Sequence, residues 1–128
     1  MKNYPYLLFL VLFTFSHVSL ADEYVDSLES VKIQIAELES NPEYLEHIEK
    51  VQSPFFLKKY FESQTGECIT AFEKDGFELA IGISNTGVVE RVYLSIETKV
   101  SKCLKAFFLK QNFPKPIVSP MYIYMNIL

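Results

Sequence analysis

Residues 77–96 read Phe-Glu-Leu-Ala-Ile-Gly-Ile-Ser-Asn-Thr-Gly-Val-Val-Glu-Arg-Val-Tyr-Leu-Ser-Ile, and this stretch decides the fold class that the sequence predicts. Large apolar residues alternate with polar or small ones over 77–84 and again over 88–96, which is the pattern of strands with one buried face. Asn85-Thr86-Gly87 separates the two runs with turn-forming residues. We therefore expect two antiparallel strands joined by a tight turn, with the face that carries Arg91 and Tyr93 partly exposed.

The residues after this hairpin predict one helix and one further strand. Apolar residues recur over 99–110 at the spacing of a helix that lies on a sheet, and Thr98 is suited to cap that helix. The prolines at 114, 116 and 120 exclude regular strand pairing before residue 121. The run 121–128 is apolar on both faces, so we expect it to insert as a strand beside an existing one. The apolar stripe of the helix consists of Val100, Cys103, Leu104, Phe107 and Phe108.

The residues before the hairpin predict another strand. Residues 67–74 are followed by Asp75-Gly76, which supplies the backbone conformation of a two-residue hairpin turn. Residues 67–128 would thus form a small α+β module, an antiparallel sheet with one packed crossover helix in β-β-α-β-like order.

Residues 22–64 predict an acidic helical segment ahead of this module. Asn41-Pro42 and Ser53-Pro54 are each typical of a helix start, and Gly66 of a helix end. A first helix over 24–39 either packs on its own domain or binds a partner as a coiled coil; its short repeat favours the first interpretation. Its apolar stripe consists of Tyr24, Leu28, Val31, Ile35 and Leu38.

The amino terminus, residues 1–21, has the pattern of a secretory signal peptide. A lysine precedes an apolar run over 4–15, and the small residues Ser19 and Ala21 occupy the −3 and −1 positions of a cleavage site. The alternative is an uncleaved anchor, which the short apolar run disfavours. We expect cleavage near Ala21 and a periplasmic or secreted protein, with membrane contact only if this segment is retained.

The two cysteines, Cys68 and Cys103, lie in the part expected to be exported. An even count in an oxidising compartment favours one disulfide between them, and two free thiols are the alternative. With both cysteines paired, thiol catalysis with His47, the single histidine after residue 21, would be excluded.

Charge and motifs exclude several function classes. Residues 22–49 carry nine acids and one lysine, and the whole chain has one arginine, Arg91, so a nucleic-acid partner is not expected. No paired-histidine metal spacing, phosphate-binding glycine loop or nucleophile elbow occurs in the sequence. We therefore predict no catalytic, cofactor-binding or metal-binding residue and a protein that is not an enzyme.

Four segments together resemble a known family. Ile83-Ser-Asn-Thr-Gly-Val-Val-Glu-Arg-Val-Tyr-Leu-Ser leads to Val100-x-x-Cys103-Leu104, then Phe113-Pro114-Lys-Pro116, then Met121-Tyr-Ile. This order is similar to the carboxy-terminal domain of the TonB family, particularly its cysteine-bearing exported relatives, over about residues 76–128.

The resemblance implies a non-enzymatic module that binds partner proteins in the bacterial envelope and accepts an extended partner segment at an exposed edge strand. Tyr122 and Tyr124 on the last strand are then the candidate contacts for that segment. Residues 22–76 contain no proline-rich linker and no Tyr-Pro motif ahead of the first strand, which argues against an energy-transducing role. The partner is expected to be another envelope or extracellular protein. Two alternatives remain open: a secreted inhibitor or effector that binds a foreign enzyme, and a hydrolase.

Overall fold

The structure, a computed structural model, describes residues 23–68 and 76–127. It confirms the predicted α+β class: helices precede and cover a small antiparallel sheet. The expected signal peptide lies outside the described residues. In chain order the elements are α1 (Leu28–Leu38), α2 (Pro42–His47), a π-helical turn (Ile48–Gln52), α3 (Ser53–Thr65), β1 (Phe77–Ile83), β2 (Val89–Leu94), α4 (Lys99–Phe108) and β3 (Met121–Ile127).

The sheet has the strand order β2-β1-β3, and both pairs are antiparallel. Pairing between β1 and β3 runs without interruption from Phe77–Ile127 to Ile83–Met121. The last strand therefore inserts beside an existing one, as expected. β2 and β3 occupy both edges of β1. The hairpin expected across Asp75-Gly76 falls largely on residues 69–75, which lie outside the described residues.

A β-bulge changes the predicted alternation of β2. The register with β1 shifts between Gly82, which pairs with Arg91, and Ile83, which pairs with Val89. An extra residue reverses the orientation of the side chains before it. Val89 is consequently buried in the main core, whereas Val88 is 41% exposed. Strict alternation without a bulge predicts that Val88 lies on the same face of the sheet as Leu94 and that Val89 lies on the opposite face.

The main core lies between one face of the sheet and helices α3 and α4. β1 contributes its four large apolar side chains, and the rings of Phe56 and Phe108 stack on each other with 4.8 Å between centroids. Thr98 caps α4 as predicted, accepting a hydrogen bond from the Ser101 N–H. The four core residues of β1 are Phe77, Leu79, Ile81 and Ile83.

The opposite face of the sheet is covered by the amino-terminal segment. Helix α1 begins at Leu28 and not at Tyr24, because the side chain of Ser27 caps it by accepting a hydrogen bond from Ser30 N–H. Tyr24 and Val25 instead have no regular secondary structure and pack on the sheet. Helix α1 buries Val31 there in a second, smaller core. The segment is therefore packed on its own domain.

Helices α2 and α3 form one continuous rod instead of two separately started helices. Asn41 caps α2 as predicted, but Ser53 has helical backbone and donates its N–H to the carbonyl of Ile48, five residues back. This π-helical turn accommodates Pro54, which has no N–H for an α-helical bond. The turn also shifts the buried side: Gln52 is fully buried, and Val51, predicted on the apolar side, is 36% exposed.

The predicted disulfide between Cys68 and Cys103 is present, with 5.9 Å between their Cα atoms. It joins the turn after α3 to α4, so the helix that covers the sheet is covalently tied to the helical rod. Disulfides persist in oxidising compartments, so this bond indicates an extracytoplasmic protein. Within residues 23–68 and 76–127, none of the helices is long and apolar enough to cross a membrane.

Candidate functional site

The two edge strands of the sheet differ in how available they are for pairing. β2 is six residues long, contains the bulge, and carries the charged residues Glu90 and Arg91, all of which discourage pairing with another strand. β3 has seven residues, pairs in an unbroken register, and carries no charged residue. An edge of this second kind is a template for an added strand.

The hydrogen bonds of β1 establish which main-chain groups of β3 point outward. Glu78 directs its N–H and its C=O to Ser95, on the β2 side. Neighbouring residues of an antiparallel strand alternate, so Leu79 and Ile81 bond to β3, and their partners Met125 and Ile123 bond back. The intervening residues of β3 direct their main-chain N–H and C=O groups away from the sheet. They are Tyr122, Tyr124 and Asn126.

The accessible part of this edge is its carboxy-terminal half. Tyr122 is 1% exposed, Tyr124 is half-buried, and Asn126 is exposed and forms no side-chain hydrogen bond with a described residue. An added strand can therefore pair with the main chain of residues 124–126. The burial of Tyr122 leaves less room for a strand at that position.

The structure places the side chains of Tyr122 and Tyr124 on internal contacts. The Tyr122 hydroxyl accepts a hydrogen bond from Val25 N–H at 2.8 Å, and the Tyr124 hydroxyl donates to Glu78 Oε1 at 2.6 Å. Lys32 Nζ lies 2.8 Å from the same carboxylate and 5.5 Å from the centre of the Tyr124 ring. These side chains hold α1 on the sheet, so any partner-strand contact at these positions belongs to their main chain.

A groove lies where the β3 edge meets the corner between α1 and α2. Its volume is about 150 Å³, enough for one large side chain. Residues 122–124 of β3 line it together with three aliphatic residues of the helical segment, Ile35, Leu45 and Ile48. The groove thus continues the line of the open edge.

Three polar side chains also line the groove: Glu39, Tyr44 and Ser53. The Glu39 carboxylate and the Tyr44 and Ser53 hydroxyls form no hydrogen bond or ion pair with any described residue. Tyr44 is only 2% exposed, and burial, with the negative charge of Glu39, raises the pKa of Tyr44 to about 12. At neutral pH the Tyr44 hydroxyl is therefore protonated and able both to donate and to accept.

No sequence pattern marks Glu39, Tyr44 or Ser53 as a site residue. Asn41 reverses the chain between α1 and α2, since its N–H bonds to the Leu38 carbonyl while its side chain caps α2. That reversal brings Glu39 and Tyr44 together beside a strand some 80 residues later in the chain. The only local signal was the Asn41-Pro42 cap, which locates a helix start but not what lies next to it.

A second, more open depression of about 450 Å³ lies on the outer side of the helical rod and includes Glu46, His47 and Lys50. Three of its polar side chains already have partners: Lys50 pairs with Glu46 at 3.1 Å, and His47 Nε2 lies 2.9 Å from Gln52 Nε2. No cluster of metal-ligating side chains occurs among residues 23–68 and 76–127. Both cysteine sulfurs are bonded, so the thiol nucleophile considered from the sequence does not exist.

No family model, curated protein or solved structure matches this chain.

Proposed function

We propose that this protein is an exported, non-enzymatic protein-binding module of the bacterial envelope, and that it binds an extended segment of its partner as a fourth strand beside β3. The observation that carries the proposal is the open edge of β3, where the main chain of Tyr124 and Asn126 points outward. Main-chain hydrogen bonds along such an edge provide affinity, and neighbouring pockets select side chains.

Three further features support the proposal. The strand and helix order β1-β2-α4-β3 is the β-β-α-β order that the resemblance to the TonB carboxy-terminal domain implies. The disulfide suits an exported protein, for which residues 1–21 would serve as a signal peptide cleaved after Ala21. The edge is also rigid, because β3 is paired along its full length with β1, the central strand.

The proposal is tested by a substitution that removes one outward N–H and changes little else. Proline is tolerated at an edge position whose N–H points to solvent, so Asn126→Pro removes that donor while the β1–β3 pairing persists. Asn126→Ala is the matched control, because it removes the side chain and keeps the N–H. Both variants are compared with the native protein for binding to a displayed library of random peptides, roughly nine residues long to match a strand.

We expect the native protein and Asn126→Ala to enrich the same peptides and Asn126→Pro to lose them. Bound peptide should also slow hydrogen exchange at the amides of Tyr124 and Asn126. If no peptide distinguishes the native protein from Asn126→Pro, strand addition at β3 is rejected. A binder whose protection maps to another surface would favour the alternative function, an inhibitor or effector that uses a different face.

A further inference from the structure

We infer that the groove beside Tyr122 selects a lysine or arginine side chain, so that the segment bound at β3 is an extended basic peptide. The inference rests on the proposed function, because the groove lies at the point where a strand paired with Tyr124 would continue.

The polar groups of the groove are acceptors suited to a cationic head group. The Glu39 carboxylate and the Tyr44 and Ser53 hydroxyls line the same small volume and have no partner among the described residues. Tyr44 is 98% buried, but its unpaired hydroxyl keeps contact with solvent and is therefore accessible to a ligand in the groove. An ammonium or guanidinium group would offer each of these oxygens a donor, and its bond to the carboxylate would be charge-assisted.

The apolar walls suit the rest of such a side chain. Lysine and arginine bury their aliphatic stems along apolar surface while the charged end meets polar groups or water. Ile35, Leu45 and Ile48 supply that surface, and Glu39 lies at the exposed rim. An acidic side chain would be repelled by the Glu39 carboxylate, and a purely apolar one would offer the three oxygens no hydrogen-bond donor.

The surrounding charge also favours a basic segment. Residues 33–49 contain five glutamates and neither lysine nor arginine. The nearest lysines in sequence are already paired: Lys32 lies 2.8 Å from Glu78, and Lys50 lies 3.1 Å from Glu46. Among the described residues no cation is paired with Glu39, so the excess of glutamates over 33–49 favours a basic segment at this end of the β3 edge.

The test uses the full chain purified with its disulfide intact and the same random-peptide library. Enriched peptides are aligned on their alternating strand pattern, and selection is repeated on Glu39→Gln and Tyr44→Phe. Glu37→Gln is the matched control, since it removes a glutamate only two residues away that does not line the groove. One enriched peptide is then synthesised with its basic residue and with norleucine in its place.

We expect enriched peptides to carry lysine or arginine at one fixed position. Norleucine should weaken binding about fivefold or more, Glu39→Gln should remove most of that difference, and Glu37→Gln should preserve it. Peptides that require the Asn126 N–H but show no basic residue at a fixed position would overturn this inference and leave strand addition intact. Selection of no edge-dependent peptide would reject the proposed function and this inference with it.

Discussion

The hydroxyl of Tyr122 on the last strand accepts a hydrogen bond from the main-chain N–H of Val25, with 2.8 Å between oxygen and nitrogen. The Val25 carbonyl in turn accepts a bond from the Tyr93 hydroxyl at 2.8 Å. These two bonds anchor the main chain of Val25, near the start of the described residues, on the second face of the sheet. The amino-terminal segment is therefore part of the folded unit that presents the β3 edge.

We predict that Tyr122→Phe lowers the free energy of unfolding by about 1–2 kcal/mol, because it leaves the part-buried Val25 N–H without its partner. Urea unfolding measures this change, and faster hydrogen exchange at Val25 locates it. Tyr60→Phe is the matched control, since the Tyr60 hydroxyl forms no hydrogen bond with a described residue. Equal stability losses in the two variants would contradict the prediction.

Much of the fold could be predicted because the decisive patterns are local. The alternation over β1, the Thr98 cap and the stripe on α4 place these elements within two residues of their observed ends. The predictions were wrong where the conformation of one segment depends on its contacts with another segment or on a neighbouring proline. The bulge that buries Val89 reflects the pairing of β2 with β1, and the π-helical turn reflects how the rod accommodates Pro54.

Less of the candidate site could be predicted, because it depends on contacts between elements that are distant in sequence. Tyr122 and Tyr124 were predicted on the last strand, where they lie, but alternation alone could not reveal that their hydroxyls are bonded to Val25 and Glu78. Glu39 and Tyr44 belong to helices that no sequence pattern connects to β3. Their proximity follows from the path of the chain around the edge of the sheet, which is a tertiary property.

Gly87 provides a second prediction. Its φ is +93°, and a Cβ atom at this position would lie 2.1 Å from the Phe113 carbonyl oxygen. Since Phe113 N–H also bonds to the Gly87 carbonyl at 2.7 Å, the turn cannot move away without losing that bond. We predict that Gly87→Ala destabilises the protein by about 3 kcal/mol or more. Thermal unfolding measures the loss, and Asn85→Ala in the same turn, where the residue is exposed, should cause little change.

The disulfide provides a third prediction. The bond closes a loop with a sequence separation of 35 between Cys68 and Cys103, and a loop of this length corresponds to about 3–4 kcal/mol of stabilisation through the unfolded state. We expect the double variant Cys68→Ala and Cys103→Ala to lose about this much in urea unfolding. Reducing agent should destabilise the native protein by a similar amount and leave the double variant unchanged. A reductant effect on the double variant would contradict this interpretation.

The last prediction concerns acid and the ion pair that holds α1 on the sheet. Hydrogen bonds from Lys32 and Tyr124 lower the pKa of Glu78 below its ordinary value of 4.5, and the bond to Glu78 raises the pKa of Lys32 above 10.5. A carboxylate whose pKa is lowered by folding stabilises the protein fully above its unfolded pKa. This stabilisation is lost as the pH falls through the lower, folded value. The pKa of Lys32 is raised in the folded protein, so its contribution to stability is complete below pH 10.5 and is lost as the pH rises through the higher, folded value.

We therefore expect the native protein to be more stable than Glu78→Gln at neutral pH and this advantage to disappear on acidification below pH 4.5. Urea unfolding across this range measures the difference, with hydrogen exchange in α1 reporting whether the loss is local. Glu97→Gln serves as the matched control, because Glu97 is exposed and forms no ion pair with a described residue. If Glu78→Gln and the native protein lose stability in parallel as the pH falls, the ion pair does not stabilise the contact between α1 and the sheet.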